Sequence, residues 1–278
     1  MAVRDIAYVE VYTSRKQSVA DYFVSTMGFS RTADSVAVDR SSVLLRQGDA
    51  HLVVTTGPAT WKFLAAQGDG IADVALTCDD VDETRAAAAA AGAAVTGTPY
   101  GGPVVAGAGS VVHSLLPHTP GTDLPPGRTW VPAQEAEDAS GPGGAPAASH
   151  PSDAGAGDGR GVPAAADGPP RRVQGLDHVA LCVPDGMLGT YTALYRDAFG
   201  LTGGTHTGSA RTALLRSPAG RAALALDPDG PPGAQHLALR VAGGAPVVCG
   251  LRRHSLRLYG RSHYGRTTLF PHHRLAAE

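Results

Sequence analysis

Leu176-Asp177-His178-Val179-Ala180-Leu181 and Ala234-Gln235-His236-Leu237-Ala238-Leu239 each set one histidine in an otherwise apolar run that follows a Gly- or Pro-bearing break. Short apolar runs bounded in this way read as strands. Side chains of a strand face alternate sides, so His178 points inward while Asp177 and Val179 lean outward, and His236 sits likewise between Gln235 and Leu237. Two inward imidazoles on one sheet are a way to hold a metal, because neutral imidazole is the commonest side-chain metal ligand.

Working outward, the first half carries the same two segments as Ile6-Ala7-Tyr8-Val9-Glu10-Val11 and Ala72-Asp73-Val74-Ala75-Leu76. His178 aligns with Tyr8 and His236 with Asp73, and the two separations differ by seven residues, a loop-sized deletion. Phe23-Val-Ser-Thr-Met-Gly28-Phe29 likewise matches the helix end Ala193-Leu-Tyr-Arg-Asp-Ala-Phe-Gly200-Leu201. The chain therefore reads as a duplicated module with metal-binding chemistry in one copy. Tyr8, Asp73 and His113 take the equivalent places in the other, and a tyrosine with one carboxylate there reads as a packed, hydrogen-bonded interior.

The first copy alternates strands and helices. Residues 6–12 have the strand period, and Val19, Tyr22, Phe23 and Met27 have helical spacing up to the stop at Gly28. Residues 42–46 and 51–55 form a hairpin about Gln47-Gly48-Asp49, 58–67 a short helix and 71–77 a strand. Asp79 to Glu83 place acidic residues at the positive end of a helix that runs through the alanines to Gly92. Strands near 103–106 and 110–116 close the copy.

Residues 137–170 are almost wholly Gly, Ala, Pro, Ser and Asp, with Val162 the one bulky apolar residue. Such a stretch cannot bury enough surface to offset the entropy of ordering. The expected organisation is residues 1–117 as a first domain without metal ligands, 118–173 as a largely disordered linker, and 174–278 as a second domain that carries the histidines and degenerates after about 242.

The composition narrows the class of protein. The 278 residues are 43% hydrophobic, enough for two cores, and a net charge of -2 gives no sign of nucleic-acid binding. No run of 18 apolar residues suggests a membrane span, and no basic segment followed by an apolar core opens the chain, so the expected location is the cytoplasm. Cys78, Cys182 and Cys249 are scattered without a CxxC pair and read as free thiols. Two lysines beside 21 arginines, with abundant Ala, Gly and Pro, look like the coding bias of a GC-rich genome.

The two histidine segments, with Gly233 and Arg240 flanking the second, resemble the iron-ligand segments of the 4-hydroxyphenylpyruvate dioxygenase and 4-hydroxymandelate synthase family of the vicinal oxygen chelate superfamily. Ile6-Ala-Tyr-Val-Glu-Val-Tyr12, Asp39-Arg-Ser-Ser-Val-Leu-Leu-Arg-Gln-Gly48, His51-Leu-Val-Val-Thr55 and Gly68-Asp-Gly-Ile-Ala-Asp-Val-Ala-Leu76 resemble that family's N-terminal domain, and Ser217-Pro-Ala-Gly220 a segment of its second. The likeness spans roughly residues 6–132 and 173–242. It implies an α+β fold of two tandem domains built from paired βαβββ modules. It also implies Fe(II) held by His178 and His236, with a 2-oxo acid and dioxygen as reactants. The implied reaction is oxidative decarboxylation and hydroxylation of 4-hydroxyphenylpyruvate to homogentisate or to 4-hydroxymandelate. Separately, exposed module edges point to a homodimer.

The chain also departs from that family. The resemblance calls for a third ligand, a glutamate on a late Phe-rich strand, yet 42 residues follow His236 and none forms such a segment. After Val241 the alternation is lost and the sequence turns rich in Arg and His, as a shifted reading frame or a truncated gene would leave it. The second domain is therefore expected to be incomplete. Glu278, and His272 with His273, stand as alternatives for the third ligand. Three readings stand: an enzyme homologue of that group, active or disabled by the missing ligand; a non-catalytic small-molecule binding or sequestering protein on the same fold; and a nonfunctional gene product with an intact first domain.

Overall fold

The computed structural model describes residues 3–97, 102–119, 125–133, 173–207, 211–228, 230, 232–242, 247–252 and 255–259. The alternating segment at the start forms β1 (Val3–Tyr12), and the apolar positions of the next stretch wind into α1 (Lys16–Ser25). Then come β2 (Ser30–Val36), β3 (Ser41–Gln47) and β4 (Ala50–Thr56), the last two making the expected hairpin. A 3-10 turn, Pro58–Thr60, leads into α2 (Trp61–Gln67) and β5 (Gly70–Cys78). The alanine run is α3 (Val81–Ala90), started by Asp80, whose side chain accepts a hydrogen bond from the Glu83 amide at 2.8 Å. β6 (Val95–Gly97), β7 (Pro103–Ala106) and β8 (Val112–Pro117) follow, and β9 (Val131–Pro132) returns to the edge of β2.

These strands form one nine-stranded sheet in the order β6-β7-β8-β5-β1-β4-β3-β2-β9. Residues 118 to 173, the interval expected to be linker, thus include a stretch that belongs to this sheet, while 134–172 lies outside the described residues.

The second sheet begins with β10 (Val173–Cys182), which carries His178, and α4 (Leu188–Phe199) follows, stopped by Gly200 at φ 65°. β11 (Thr202–Thr207), β12 (Arg211–Arg216), β13 (Ala223–Asp227) and β14 (Gly233–Val241), which carries His236, lead to β15 (Val247–Arg252) and β16 (Ser255–Tyr259). The order is β11-β12-β13-β10-β14-β15-β16.

The repeat holds down to the irregularities of pairing. β1 meets β5 antiparallel, with slips between Val3 and Asp5, Ile6 and Tyr8, and Glu10 and Val11. β10 meets β14 with slips at the matching places, between Val173 and Gly175, Leu176 and His178, and Ala180 and Leu181. The parallel partners correspond too, Val9 with Leu52 and Val179 with Leu224. The deletion inferred between the copies falls where α2 stands in the first, since five residues separate β13 from β14. The halves differ beyond that point. β5 lies beside β8 in parallel, whereas β14 lies beside β15 antiparallel. The first two sheet-building modules, each a strand, a helix and further strands, make the first sheet; a third opens the second.

One apolar layer joins the two sheets. α3 packs on α4, and Phe23, Phe29, Leu45, Leu76, Leu115, Tyr195, Phe199 and Leu215 are fully or almost fully buried in a single cluster drawn from both halves. Each such side chain contributes about 1.5–3 kcal/mol of burial. Two polar contacts fix the alignment within and beside this layer. Ser217 Oγ donates to the Arg4 carbonyl at 2.9 Å, and the Tyr195 hydroxyl lies 2.8 Å from His113 Nε2. His113 Nδ1 is 3.0 Å from the Val74 carbonyl, an acceptor, so Nδ1 carries the proton and Nε2 accepts from Tyr195. The Ala108 amide bonds to the same phenol oxygen. A Cβ on Gly107 would come within 2.6 Å of His113 Nε2, so the close approach requires glycine.

Replacing Tyr195 by Phe leaves His113 Nε2 buried without a donor. The expected cost is about 1–3 kcal/mol of unfolding free energy, read from urea denaturation of the parent and the variant.

Candidate metal centre and its counterpart in the first sheet

His178 and His236 converge on the second sheet. Their Nε2 atoms are 3.3 Å apart, and the side chains are buried, at 3% and 5% exposure. The pairing explains the approach: Ala238 stands opposite His178 and Ala180 opposite His236, so the rings lie on one diagonal of the strand pair. Beside Ala180 on β13 is Ala225. Alanine at all three neighbouring places leaves the rings flanked by methyl groups.

Asp177 does not lean outward as the strand period requires. Its Oδ2 lies 2.7 Å from His178 Nδ1, because the pairing slip between Leu176 and His178 inserts Asp177 as an extra residue and breaks the alternation. That hydrogen bond, the largest influence, holds the Asp177 carboxyl below its usual range. A carboxylate accepts only, so the neutral His178 ring bears its proton on Nδ1 and turns the Nε2 lone pair toward His236.

Two ring nitrogens bound to one ion at about 2.1 Å each lie roughly 3.0–3.4 Å apart, and the observed separation falls in that range. The pair therefore fits two adjacent positions on one metal ion. Among the described residues no group of three or more His, Cys, Asp or Glu side chains is placed to hold a metal. Asp177 lies at the far edge of the imidazole from His236 and does not complete the set. The backbone register sets Gly250 opposite His236. Glu278, His272 and His273 lie outside the described residues.

The counterpart in the first sheet is filled with polar side chains bonded to one another. Asp73, at the place of His236, accepts from the Ser114 amide at 3.0 Å and the Ser114 hydroxyl at 2.6 Å. Glu10, at the place of Ala180, accepts at both oxygens from the one nitrogen Arg128 Nη2, at 2.6 and 2.7 Å, and takes a hydrogen bond from Thr55 at 2.6 Å. Ser42 joins Thr55 at 2.8 Å and receives Arg128 at 3.1 Å. Tyr8 packs with Leu44, Val53, Ala75 and Trp130. This is the packed, hydrogen-bonded interior expected of Tyr8 and Asp73. His113 is not part of it, because Ser114 faces Asp73 and the alternation of β8 turns His113 to the opposite side, against Tyr195 and Phe199. Arg128 carried no motif, and its partner is 118 residues away in sequence.

The fold, two sheets with paired modules of strands and helices, matches that of vicinal oxygen chelate superfamily proteins. A mutant of 4-hydroxymandelate synthase from Streptomyces coelicolor superposes with a TM-score of 0.62 at 28% identity, over 85% of this chain and 71% of that one. A fusion of a xylose isomerase-like TIM barrel with 4-hydroxyphenylpyruvate dioxygenase superposes with a TM-score of 0.57 at 16% identity, over 86% of this chain and 36% of the fusion, a likeness of fold alone. No protein-family model matches the chain. No helix among the described residues is long and apolar enough to cross a membrane.

Burial, opposed by the Ser114 hydrogen bonds, pushes the Asp73 carboxyl up to about 7 from its ordinary 3.8. Between those values the folded protein keeps a proton that the unfolded chain has lost, so this contribution is full below about pH 4 and is lost as the pH rises through about 7. Burial pushes His113 the other way, down to about 4 from 6.5, so its contribution is full above 6.5 and is lost as the pH falls through about 4. The two oppose each other, and substitution separates them. Asp73→Asn can still accept from the Ser114 amide at Oδ1, with Nδ2 donating to the Ser114 hydroxyl in place of the carboxylate oxygen that accepted from it, and should gain unfolding free energy relative to the parent as the pH rises from about 4 to about 7. A gap between the two that is constant with pH would show that Asp73 is not the titrating group.

Proposed function

We propose that the chain is an Fe(II)-binding, oxygenase-type protein of the 4-hydroxyphenylpyruvate dioxygenase and 4-hydroxymandelate synthase kind, with His178 and His236 as metal ligands. The observation that carries this reading is the 3.3 Å approach of two imidazole Nε2 atoms from equivalent places of a repeated strand pair. The likeness to 4-hydroxymandelate synthase supports it and suggests a 2-oxo acid, 4-hydroxyphenylpyruvate, as the small-molecule reactant. In this reading residues 1–117 form a domain without metal ligands, 118–173 connect, and 174–278 form the domain that holds the site.

The residues divide the work. A ferrous ion with two histidine ligands and open positions supplies chelation of the 2-oxo acid and binding of dioxygen. His178 and His236 hold the ion on the inner face of β10 and β14, and the buried setting keeps bulk water from the pair. Ala180 and Ala225 leave room beside the rings where the first sheet has Glu10 and Val53, and both sheets have alanine at the third place, Ala238 and Ala75. Arg128 and Trp130 lie across the inner face of the first sheet, which supports the second as the ligand-binding one.

A second reading is favoured by the absence, among the described residues, of a third side-chain ligand. Here the same inner face of the second sheet binds a small molecule without redox chemistry.

Anaerobic titration of the purified protein with Fe(II) in the presence of 4-hydroxyphenylpyruvate tests both. The expected result is a visible charge-transfer band of the chelated 2-oxo acid, lost in His178→Ala and in His236→Ala, with apparent Fe(II) affinity down by more than the 10–100-fold that outer-sphere partners cost. Oxygen consumption on admission of air then separates an oxygenase from a binding protein. Equal Fe(II) retention by both variants and the parent would overturn the ligand assignment.

A further inference from the structure

Asp177 is the residue that the pairing slip adds to β10. Leu176, Asp177 and His178 together stand against Leu239 and Ala238, so one residue has no partner of its own. In a regular pleat its carboxylate would project from the face opposite to that of the His178 ring. With the slip, Oδ2 reaches Nδ1 at 2.7 Å.

The first sheet serves as the control. It has the same slip, between Ile6 and Tyr8, and the added residue is Ala7. Its side chain offers no polar atom, and its carbonyl instead lies 3.2 Å from His51 Nδ1. The slip is thus common to both copies, while the carboxylate occurs in the copy that carries the histidine pair. Since Asp177 binds the ring edge remote from His236, any action it has on the pair passes through the His178 ring.

We propose that Asp177 is a positioning residue: it fixes His178 in the Nδ1–H tautomer and fixes the plane of its ring, so that Nε2 is held ready for a divalent first-row metal ion shared with His236. The inference rests on the metal reading of the pair given above. A carboxylate on the second nitrogen raises ligand basicity and sets ring orientation, and its removal typically weakens metal binding 10–100-fold.

The test uses the full chain, labelled with 15N-histidine, and the variants Asp177→Asn and Asp177→Ala. Asn keeps the size of the side chain should Ala disturb the strand. The first measurement is the two-bond 15N–1H spectrum without metal, at mildly alkaline pH, with the His178 signals identified by their loss in His178→Gln. The parent should show a protonated Nδ1 and a bare Nε2 at His178, and both Asp177 variants should shift the ring toward the other tautomer or a mixture. The second measurement is anaerobic titration with Co(II) alone, followed by its visible spectrum, with an expected 10–100-fold loss of affinity in each variant. A His178 tautomer that ignores both substitutions, with Co(II) still binding to the parent, would overturn the positioning role and leave the metal reading intact. A tautomer that responds while the parent takes up no Co(II) would overturn the metal purpose of the arrangement and the reading it rests on.

Discussion

The antiparallel strand pair at the centre of each sheet, with its three slips, is the constraint on which everything else hangs. A slip in pairing carries a local cost, since an extra residue is left without a ladder partner. It is repeated at matching places in β1–β5 and β10–β14, so both copies keep one geometry for the inner face. What differs is the chemistry set on it. The first copy places Tyr8, Glu10 and Asp73 there and ties them to Arg128, Thr55 and Ser114. The second places two imidazoles among alanines.

The two inner faces illustrate opposite treatments of buried polarity. A buried ion pair is secure only when both partners stay, because removing one strands a charge in a poor dielectric. Arg128 and Glu10 are 6% and 3% exposed, and one guanidinium nitrogen donates to both carboxylate oxygens, so the first face is committed to being filled. His178 and His236 are buried to a similar degree, yet the flanking methyl groups neither compete for nor satisfy the ring nitrogens. A donor pair in that setting is suited to an electrophilic ion, and the Asp177 contact fixes which nitrogen faces it.

Much of this was legible in the chain. The histidines stood out because each interrupts an apolar run, and the alignment of Tyr8 with His178 survives to the level of hydrogen-bond register. The helix announced by a stop at Gly200, α4, formed as read, while α1 ends at Ser25, short of the stop expected at Gly28. β2, with Ser, Arg, Thr and Asp along it, has too little apolar content for the strand period to show. Arg128 was hidden for a different reason: a long-range ion pair leaves no local pattern. Asp177 was read outward because period-two reasoning has no means of seeing a bulge. His113 shows the converse, since its alignment with a ligand position ignored the alternation that puts Ser114, and not His113, beside Asp73.

The Arg128–Glu10 clasp also sets an order of events during synthesis. Chains emerge from the ribosome N-terminus first, at roughly 5–20 residues per second. Glu10 leaves early and finds its guanidinium partner only after 118 further residues have followed. Until then the inner face of the first sheet holds a carboxylate that must stay hydrated, and the sheet cannot dry and close. The inner face of the first sheet is therefore closed by the segment that carries Arg128 and Trp130, which is made before any residue of β10, while the apolar layer shared with α4 forms only after the second half follows.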